Sequence, residues 1–267
     1  MIQAHLSILR NTVFIVLISS LFACSSIPND ITTNMTPAQI LKEAQDEMSA
    51  GKTEKAIELY DKLEGRAAGT PLAQQAQLDK AFALYKNNSQ VEALTTIERF
   101  IKIHPASPVL DYAMYMRGIF HLNEDLGFLS QFMSKDISGL DQKSAKESFQ
   151  KFKELTIRFP ESKYTVDAKL RMNYILNYLA SNETSIARFY FDKKAFIAAI
   201  NRAQDVIKDF PGTDASELAL YIIYLSYKKL EFHDDANDAK RVLLKNYPGT
   251  ILLSAGLPPK EKSIFKK

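Results

Sequence analysis

Apolar side chains recur at intervals of three and four residues from Ile40 onwards, a spacing typical of amphipathic helices. The first run follows Thr36-Pro37, a pair that favours a helix start because threonine caps a helix and proline fits its first turn. Gly51 interrupts the run, and the same spacing resumes over residues 56–63. The beginning of the pattern therefore predicts one pair of helices joined by a turn.

A short proline motif divides the rest of the pattern into similar blocks. Proline ends a helix, and the Ser or Thr that follows it in the motif can cap the next helix. A small residue lies twelve positions before each proline (105 − 93 = 12, for example), where two helices are expected to approach closely. The motifs are His104-Pro105-Ala106-Ser107, Phe159-Pro160-Glu161-Ser162, Phe210-Pro211-Gly212-Thr213 and Tyr247-Pro248-Gly249-Thr250, and the small residues are Ala93, Ser148, Ala199 and Ala236.

The spacing of these motifs indicates a repeat protein. Between the Ser/Thr members, with Thr70 as a degenerate first member, the steps are 107 − 70 = 37, 162 − 107 = 55, 213 − 162 = 51 and 250 − 213 = 37. The short steps lie near the tetratricopeptide period of about 34 residues, and the long steps correspond to the same unit with insertions. A plain helical bundle is the alternative, but the fixed offset of the small residue favours repeats. We therefore predict an all-α fold, a tetratricopeptide-like right-handed array of about five helix pairs over residues 37–250.

The third block contains an insertion, at residues 128–142. The helix before it begins near Val109, and its Met and aromatic side chains are expected to be repeat core rather than a cofactor site. Apolar side chains within the insertion either fold back on the repeats or dock a partner. They are Phe128, Leu129, Phe132 and Met133.

The later helices are predicted from the same apolar spacing. The extra residues at 181–194 imply either a lengthened first helix or a displaced turn. Leu257-Pro258-Pro259 ends regular structure, so residues 251–267 are expected to form a loosely ordered tail. The predicted helices cover residues 145–159, 166–179, 184–190, 195–210, 214–230 and 236–247.

The first residues have the pattern of an export signal. Arg10 precedes an apolar run at 13–18, which is too short to span a bilayer as a permanent helix but suits a secretory signal. The run leads to Leu21-Phe22-Ala23-Cys24, which resembles the lipobox of bacterial lipoproteins. By that resemblance, residues 1–23 are a lipoprotein signal peptide, and Cys24 carries lipid as the first mature residue. An ordinary signal peptide with an incidental cysteine is the alternative.

Cys24 is also the only cysteine, so no intramolecular disulfide is possible, and a covalent lipid accounts for a thiol that would otherwise be reactive. Ser25 follows it, and by the same resemblance a serine there is compatible with transfer to the outer membrane. Residues 24–36 are polar and lack helical spacing, which indicates a flexible tether. Fully extended, it would reach roughly 40 Å from the membrane surface.

The charge of the chain identifies no partner. The sequence has 34 Lys and Arg against 31 Asp and Glu. Removing residues 1–23 deletes only Arg10 among these, which leaves 34 − 1 = 33 against 31. No block of Lys and Arg of the kind that binds nucleic acid occurs, so we expect no nucleic-acid partner.

Catalytic chemistry is equally hard to place. Without the signal peptide, three histidines remain, and they are scattered without the spacing of a metal site. The sequence has no G-x-S-x-G motif and no phosphate-binding glycine loop. Asp234-Asp235 lies at a predicted helix start, where carboxylates stabilise the helix dipole. We therefore expect no enzymatic activity, no metal, and no cofactor apart from the covalent lipid.

The string Asp111-Tyr112-Ala113-Met114-Tyr115-Met116-Arg117-Gly118 resembles the BamD family, the tetratricopeptide lipoproteins of the outer-membrane β-barrel assembly machinery. Tyr85-Lys86-Asn87 and Asn201-Arg202 are similar to that family as well, and the resemblance covers almost the whole mature chain. It implies a non-enzymatic scaffold, lipid-anchored at the periplasmic face of the outer membrane. The implied partners are the barrel insertase, other assembly lipoproteins and unfolded outer-membrane protein precursors.

The resemblance also implies site residues. Arg202 matches a family arginine through which the C-terminal repeats contact the insertase, and Tyr190 matches a nearby tyrosine; the N-terminal repeats would help receive precursors. Without the resemblance, a solvated helix face would be the ordinary interpretation of Arg202. Its position after Ala199 leads us to expect that Ala203 and Val206 hold the helix and leave the guanidinium free for a partner carboxylate.

At residues 135–141 the sequence departs from the BamD family. Residues 135–141 keep two aspartates but lack the arginines of well-known relatives, which puts contacts of this loop with an accessory lipoprotein in doubt.

Two alternative functions stay open. A tetratricopeptide lipoprotein that serves as scaffold for cell-wall or cell-division proteins is the first alternative function. The second is a cell-wall-modifying enzyme, which would need a catalytic constellation that the sequence does not offer.

Overall fold

A computed structural model describes residues 32–122 and 142–259 of the chain. Across these two ranges the regular secondary structure is helical, and no helix in them is both long and apolar enough to cross a membrane. The all-α prediction is therefore confirmed for this part of the chain. The helices are α1 (Pro37–Ser49), α2 (Thr53–Arg66), α3 (Pro71–Lys86), α4 (Gln90–Ile103), α5 (Leu110–Leu122), α6 (Gln142–Arg158), α7 (Lys163–Asp192), α8 (Phe196–Asp209), α9 (Ala215–Lys229), α10 (His233–Asn246) and α11 (Leu252–Ala255).

The helices from α1 to α10 form five pairs. Each helix packs against the next one along the chain, and the first helix of every pair also contacts the first helix of the following pair. A repeat array requires this stacking, because a single pair cannot bury its apolar face alone. The predicted array of about five helix pairs is thereby confirmed.

The small residues of the proline motifs lie where the helices approach each other. Ala93, Ser148 and Ala199 are fully buried, and Ala236 is almost fully buried. The Ser148 hydroxyl donates a hydrogen bond of 2.8 Å to the carbonyl of Gly118, so even the polar member of the set is satisfied inside the core. The expected close approach at these four positions is confirmed.

The Ser/Thr members of the motifs cap helices in some blocks only. The hydroxyls of Thr70 and Ser162 accept N–H groups in the first turns of α3 and α7, as predicted. The Ser107 hydroxyl instead donates to Gln74, and the Thr213 hydroxyl donates to the carbonyl of residue 210. At those two motifs the proline and the turn, rather than the hydroxyl, separate the helices.

Ordered structure begins before the predicted boundary at residue 37. Thr32 is fully buried, and the Arg66 guanidinium donates hydrogen bonds to the backbone carbonyls of Thr32 and Met35. Thr36 and Gln39 then form a reciprocal capping box at the start of α1. Because α2 holds this segment, residues 32–36 belong to the ordered array, and the predicted tether of 24–36 is too long at its C-terminal end.

Helix α7 runs without a break through residues that we predicted as two helices, 166–179 and 184–190. No glycine or proline occurs between Lys163 and Asp192, so nothing in the sequence ends the helix. The two-helix prediction is wrong, and the lengthened first helix is correct. Residues up to Leu179 pack in a core with α3 to α6, whereas residues from Ala180 onwards pack with α8 and α9.

A short helix lies inside the segment expected to be a loose tail. Helix α11 spans Leu252–Ala255, and Leu257 packs against the apolar side chains of α8 and α9. Apolar residues on both sides of the turn at Gly256 gain from burial, which holds the segment against the array. The expectation of loose order from residue 251 is therefore wrong for this first part of the tail.

Candidate functional site

Helix α8 is held by small apolar side chains on one face. Ala199, Ala203 and Val206 are fully buried, at the spacing of three and four residues that keeps side chains on one face of a helix. The predicted anchoring role of Ala203 and Val206 is confirmed. Arg202 lies between these residues in sequence but on the rim of the packed face, with its side chain 45% exposed.

The Arg202 guanidinium is not free, contrary to our expectation. Its Nη1 atom lies 3.6 Å from Oε2 of Glu183 on α7, whose side chain is only 18% exposed. This distance makes an ion pair but not a hydrogen bond, and Oε2 of Glu183 has no hydrogen-bond partner among the described residues. Helical spacing could not reveal Glu183, because it comes from another helix, 202 − 183 = 19 residues away.

Tyr190 lies near the end of α7, partly buried against the core that α7 shares with α8 and α9. Its ring meets the ring of Phe189 edge-on, with centroids 5.7 Å apart, and Phe189 is 55% exposed. Tyr190 follows Glu183 by seven residues, which is about 10 Å along the helix axis. The structure therefore places Arg202 and Tyr190 on one helix pair but not in one contact cluster.

Arg188 adds a contact that the sequence did not indicate. Its Nη1 atom donates a hydrogen bond of 2.6 Å to the carbonyl of Pro258. The C-terminal segment therefore lies against α7 between the levels of Glu183 and Tyr190. This segment forms one border of the candidate site.

The string at 111–118, which suggested the family resemblance, forms most of α5 and belongs to the core. Oδ2 of Asp111 accepts the Ser162 hydroxyl at 2.6 Å, and the Tyr115 hydroxyl donates to Oδ2 of Asp167 at 2.5 Å. Burial raises the pKa of Tyr115 to about 12, and the hydrogen bond to Asp167 contributes to that rise. Since Ser162 and Asp167 lie at the start of α7, the string connects α5 to α7.

Arg117 and Gly118 connect the same string to α4 and α6. Arg117 is almost fully buried and pairs with Glu98 of α4 at 3.4 Å and with Glu154 of α6. A Cβ atom on Gly118 would lie 2.5 Å from the Phe152 ring, so glycine is required for the close approach of α5 and α6. Both methionines of the string are buried as well, which confirms the core interpretation.

A second polar cluster lies in the N-terminal half, around Asp79 of α3. Gln75 donates to Oδ1 of Asp79 at 2.7 Å, yet burial raises the pKa of this carboxyl above its usual value. Burial also raises the pKa of Tyr60 and Tyr112, and the Asp79 charge adds to both shifts. One partly buried carboxyl group thus lies close to tyrosines of α2 and α5.

Several sequence predictions fall outside the described residues. They concern Cys24 with the signal peptide at 1–23, the apolar side chains at 128–133, and the end of the tail. These stay predictions. Within residues 32–122 and 142–259, no group of three His, Cys, Asp or Glu side chains could hold a metal ion.

The family described as "YfiO: Outer membrane lipoprotein" matches residues 33–252, most of the chain. The chain is 42% identical over 229 residues to a Neisseria gonorrhoeae protein named "Outer membrane protein assembly factor BamD", with 86% of each chain covered. A Vibrio cholerae protein of the same name is 36% identical, with 86% of this chain and 95% of that protein covered. Among solved structures, the chain is similar to the TPR2AB domain of yeast Sti1, with a TM-score of 0.45 and 13% identity over 80% of this chain and 79% of that one.

Proposed function

This chain belongs to the YfiO family of outer membrane lipoproteins, and on that premise we propose that it is a scaffold for the assembly of outer-membrane proteins. The observation that carries the proposal is the match to relatives named outer membrane protein assembly factor, one of them 42% identical over 86% of both chains. Similarity over that length includes both halves of the helical array. The proposed role therefore concerns the whole array rather than one repeat.

We propose that the role is binding, without catalysis. Five stacked helix pairs offer an extended surface, which is the usual means by which repeat proteins hold peptides and other domains. The polar side chains buried in the middle of the array support this interpretation, because they are engaged in packing. Arg117 is paired with two glutamates, and Asp167 accepts hydrogen bonds from Tyr115 and Arg171.

The proposed contact with the barrel insertase lies on α8, at Arg202. A partner carboxylate could accept two parallel hydrogen bonds from the guanidinium, a geometry that Glu183 does not provide at 3.6 Å. Exchange of Glu183 for such a carboxylate would strengthen the interaction of Arg202 on binding. Tyr190 and its exposed neighbour Phe189 would add an aromatic contact two turns further along α7.

The N-terminal pairs are proposed to help receive unfolded barrel precursors. Transmembrane strands alternate apolar and polar side chains, so a receiving surface needs aromatic groups and hydrogen-bonding groups close together. Asp79 and Tyr112 are only partly buried and offer such groups at the edge of their cluster, whereas Tyr60 is 2% exposed and packs in the core behind them. The position of this cluster on α2, α3 and α5 is distant in sequence from the proposed insertase contact on α8.

Attachment to the membrane is proposed to occur through lipid on Cys24, after removal of residues 1–23. Residues 24–31 would then form the tether, with a reach of about 28 Å when fully extended. Several acyl chains on one residue give durable attachment, whereas a single chain binds only marginally. A labelled fatty acid fed to cells should label the wild type and not Cys24→Ser, and label in the variant would contradict this anchor.

Co-purification tests the function as a whole. The tagged full-length protein, extracted in mild detergent, should recover a barrel-forming insertase as its largest partner. Recovery of peptidoglycan-linked or cell-division proteins in its place would contradict assembly and support a cell-wall scaffold. Turnover of a glycan by the purified protein would contradict the non-enzymatic role.

A further inference from the structure

Helix α7 changes its buried face in the middle. In its first half, Ala168, Arg171 and Ile175 are buried against α5 and α6. In its second half, a different face is buried under α8, through Ala180, Thr184 and Ala187. Because α8 covers only the second half, no helix of residues 32–122 and 142–259 lies over that second face in the first half.

The uncovered continuation of that face can be followed residue by residue. Steps of three and four residues back from Ala180 reach Asn177, Asn173, Leu170 and Val166, which keeps all of them on one face of the helix. Val166 is 69% exposed and Leu170 is 53% exposed. Asn177 marks the border, since its side-chain oxygen accepts the backbone N–H of Asp214 at the start of α9, 3.0 Å away.

Lysines flank these two apolar side chains on both sides. Lys169 and Lys163 are exposed and lie on opposite edges of the face, three residues after and three residues before Val166. Within the described ranges, neither has a carboxylate at ion-pair distance; Lys163 only lies over the Tyr164 ring, 5.0 Å from its centroid. The first two turns of this face are therefore apolar along their middle and positive at their rims, and Asn173 continues the face as a polar side chain towards Asn177.

We propose that this face, defined by Val166, Leu170, Lys163 and Lys169, binds an amphipathic helix of a partner protein that carries acidic residues beside its apolar stripe. The protein itself supplies the precedent, because the same face of α7 binds helix α8 in the second half of α7. The charge on the rims selects acidic flanks. The uncovered half, residues 163–177, is about 22 Å long and offers space for about four helical turns.

This inference does not rest on the insertase contact. Leu170 precedes Glu183, the partner of Arg202, by 13 residues, which is about 20 Å along α7. The two surfaces should therefore respond to different substitutions. Arg202→Glu should leave binding at Val166 and Leu170 unchanged, and substitutions at those two positions should leave recovery of the insertase unchanged.

The test uses the full-length protein in detergent, with labelled Val and Leu methyl groups, titrated with a synthetic helical peptide as long as the uncovered half of α7. The peptide carries an apolar stripe flanked by glutamates. We expect shifts at Val166 and Leu170 but not at Val91, which is 75% exposed on α4 and serves as the matched control. Affinity should fall with added salt, because the rim lysines contribute.

Variants and competing ligands decide the outcome. Val166→Ser with Leu170→Gln should weaken peptide binding at least about tenfold while the melting temperature stays unchanged, and Val91→Ser should bind like the wild type. Unchanged binding by the double variant would overturn the proposal, and so would equal binding of a peptide with lysines in place of the glutamates. Equal shifts with vesicles of anionic lipid would assign the face to the membrane instead.

A cross-linking experiment tests whether the chain covers this face itself. A photoreactive amino acid at position 166 of the purified protein should form few cross-links within the chain when no peptide is present. It should cross-link to the acidic peptide when the peptide is added. Dominant cross-links to residues 123–141 of the same chain would overturn the proposal.

Discussion

Residues 111–118 of α5 and Arg202 of α8 both belong to the family resemblance, but the structure holds their side chains in different ways. In the α5 string, Asp111, Tyr115 and Arg117 each make specific contacts with neighbouring helices, and Arg117 is almost fully buried. Arg202 is half exposed and has one carboxylate at 3.6 Å. The side chains of the string therefore hold the helices together, whereas the Arg202 guanidinium can still donate hydrogen bonds to a partner.

This difference shows how family motifs should be interpreted physically. A specific string need not be a binding site, because the closest packing of a fold also restricts residue types severely. The side chain suited to recognition is one whose native partner is weak and whose exposure lets another group replace it. The free energy of unfolding separates the two cases: substitutions in the packed core should lower it, and substitution of Arg202 should change it little.

Ala199→Arg should destabilise the protein most. Ala199 is fully buried between α8 and its neighbours, so arginine would force a long charged side chain into a closed contact. We expect a loss of more than about 3 kcal/mol in urea unfolding. Ala93→Arg should behave in the same way in the N-terminal half, and Lys153→Arg on the exposed side of α6 is the control. Normal unfolding of both alanine variants would contradict the repeat register.

Gly118→Ala should have an intermediate effect. The new Cβ would lie 2.5 Å from the fully buried Phe152 ring, which has little room to move, and overpacking of this kind costs about 1–3 kcal/mol. Helix propensity offsets up to about 1 kcal/mol of that cost. Gly65→Ala is the matched control, because nothing lies within 4 Å of its Cβ and α2 should become slightly more stable. A gain in stability at both positions would show that α5 and α6 do not need the close approach.

The sequence predicted the packing of the array better than its cross-connections. Proline motifs and apolar spacing were sufficient for five helix pairs and for the buried positions of Ala93 and Ala199. The same signals failed at α7. Its buried face changes near Leu179, which interrupts the regular spacing of apolar residues in the same way as the end of a helix does. Apolar spacing along one helix also cannot reveal ion pairs between helices, so the carboxylates beside Arg117 and Arg202 appeared only in the structure.

Tyr115→Phe should cost about 1 kcal/mol at neutral pH, because it removes only the hydrogen bond to Asp167 and leaves the ring stacked on Tyr164, 5.1 Å between centroids. Tyr164→Phe is the control, since its hydroxyl has no hydrogen-bond partner in the described ranges. Burial raises the pKa of Tyr115 to about 12, so in the wild type this stabilisation is present below about pH 10 and is lost as pH rises towards 12. The difference between wild type and variant should shrink over that range. A constant difference would exclude this titration.

Arg202→Glu should change stability least and binding most, although Arg202 lies only three residues from Ala199 on the same helix. An ion pair at 3.6 Å with a half-exposed arginine contributes at most about 1 kcal/mol, so the melting temperature should change little. A desolvated contact with a partner carboxylate would lose about 2–5 kcal/mol on charge reversal, which lowers affinity well over tenfold. Arg202→Lys should be intermediate, because lysine cannot donate two parallel hydrogen bonds. Glu183→Gln is the decisive control: it removes the same internal ion pair from the other side without placing two carboxylates together, so it should be at least as stable as Arg202→Glu and still recover the insertase. Equal recovery of the insertase by Arg202→Glu and wild type, at matched expression, would show that Arg202 is only a surface arginine paired with Glu183.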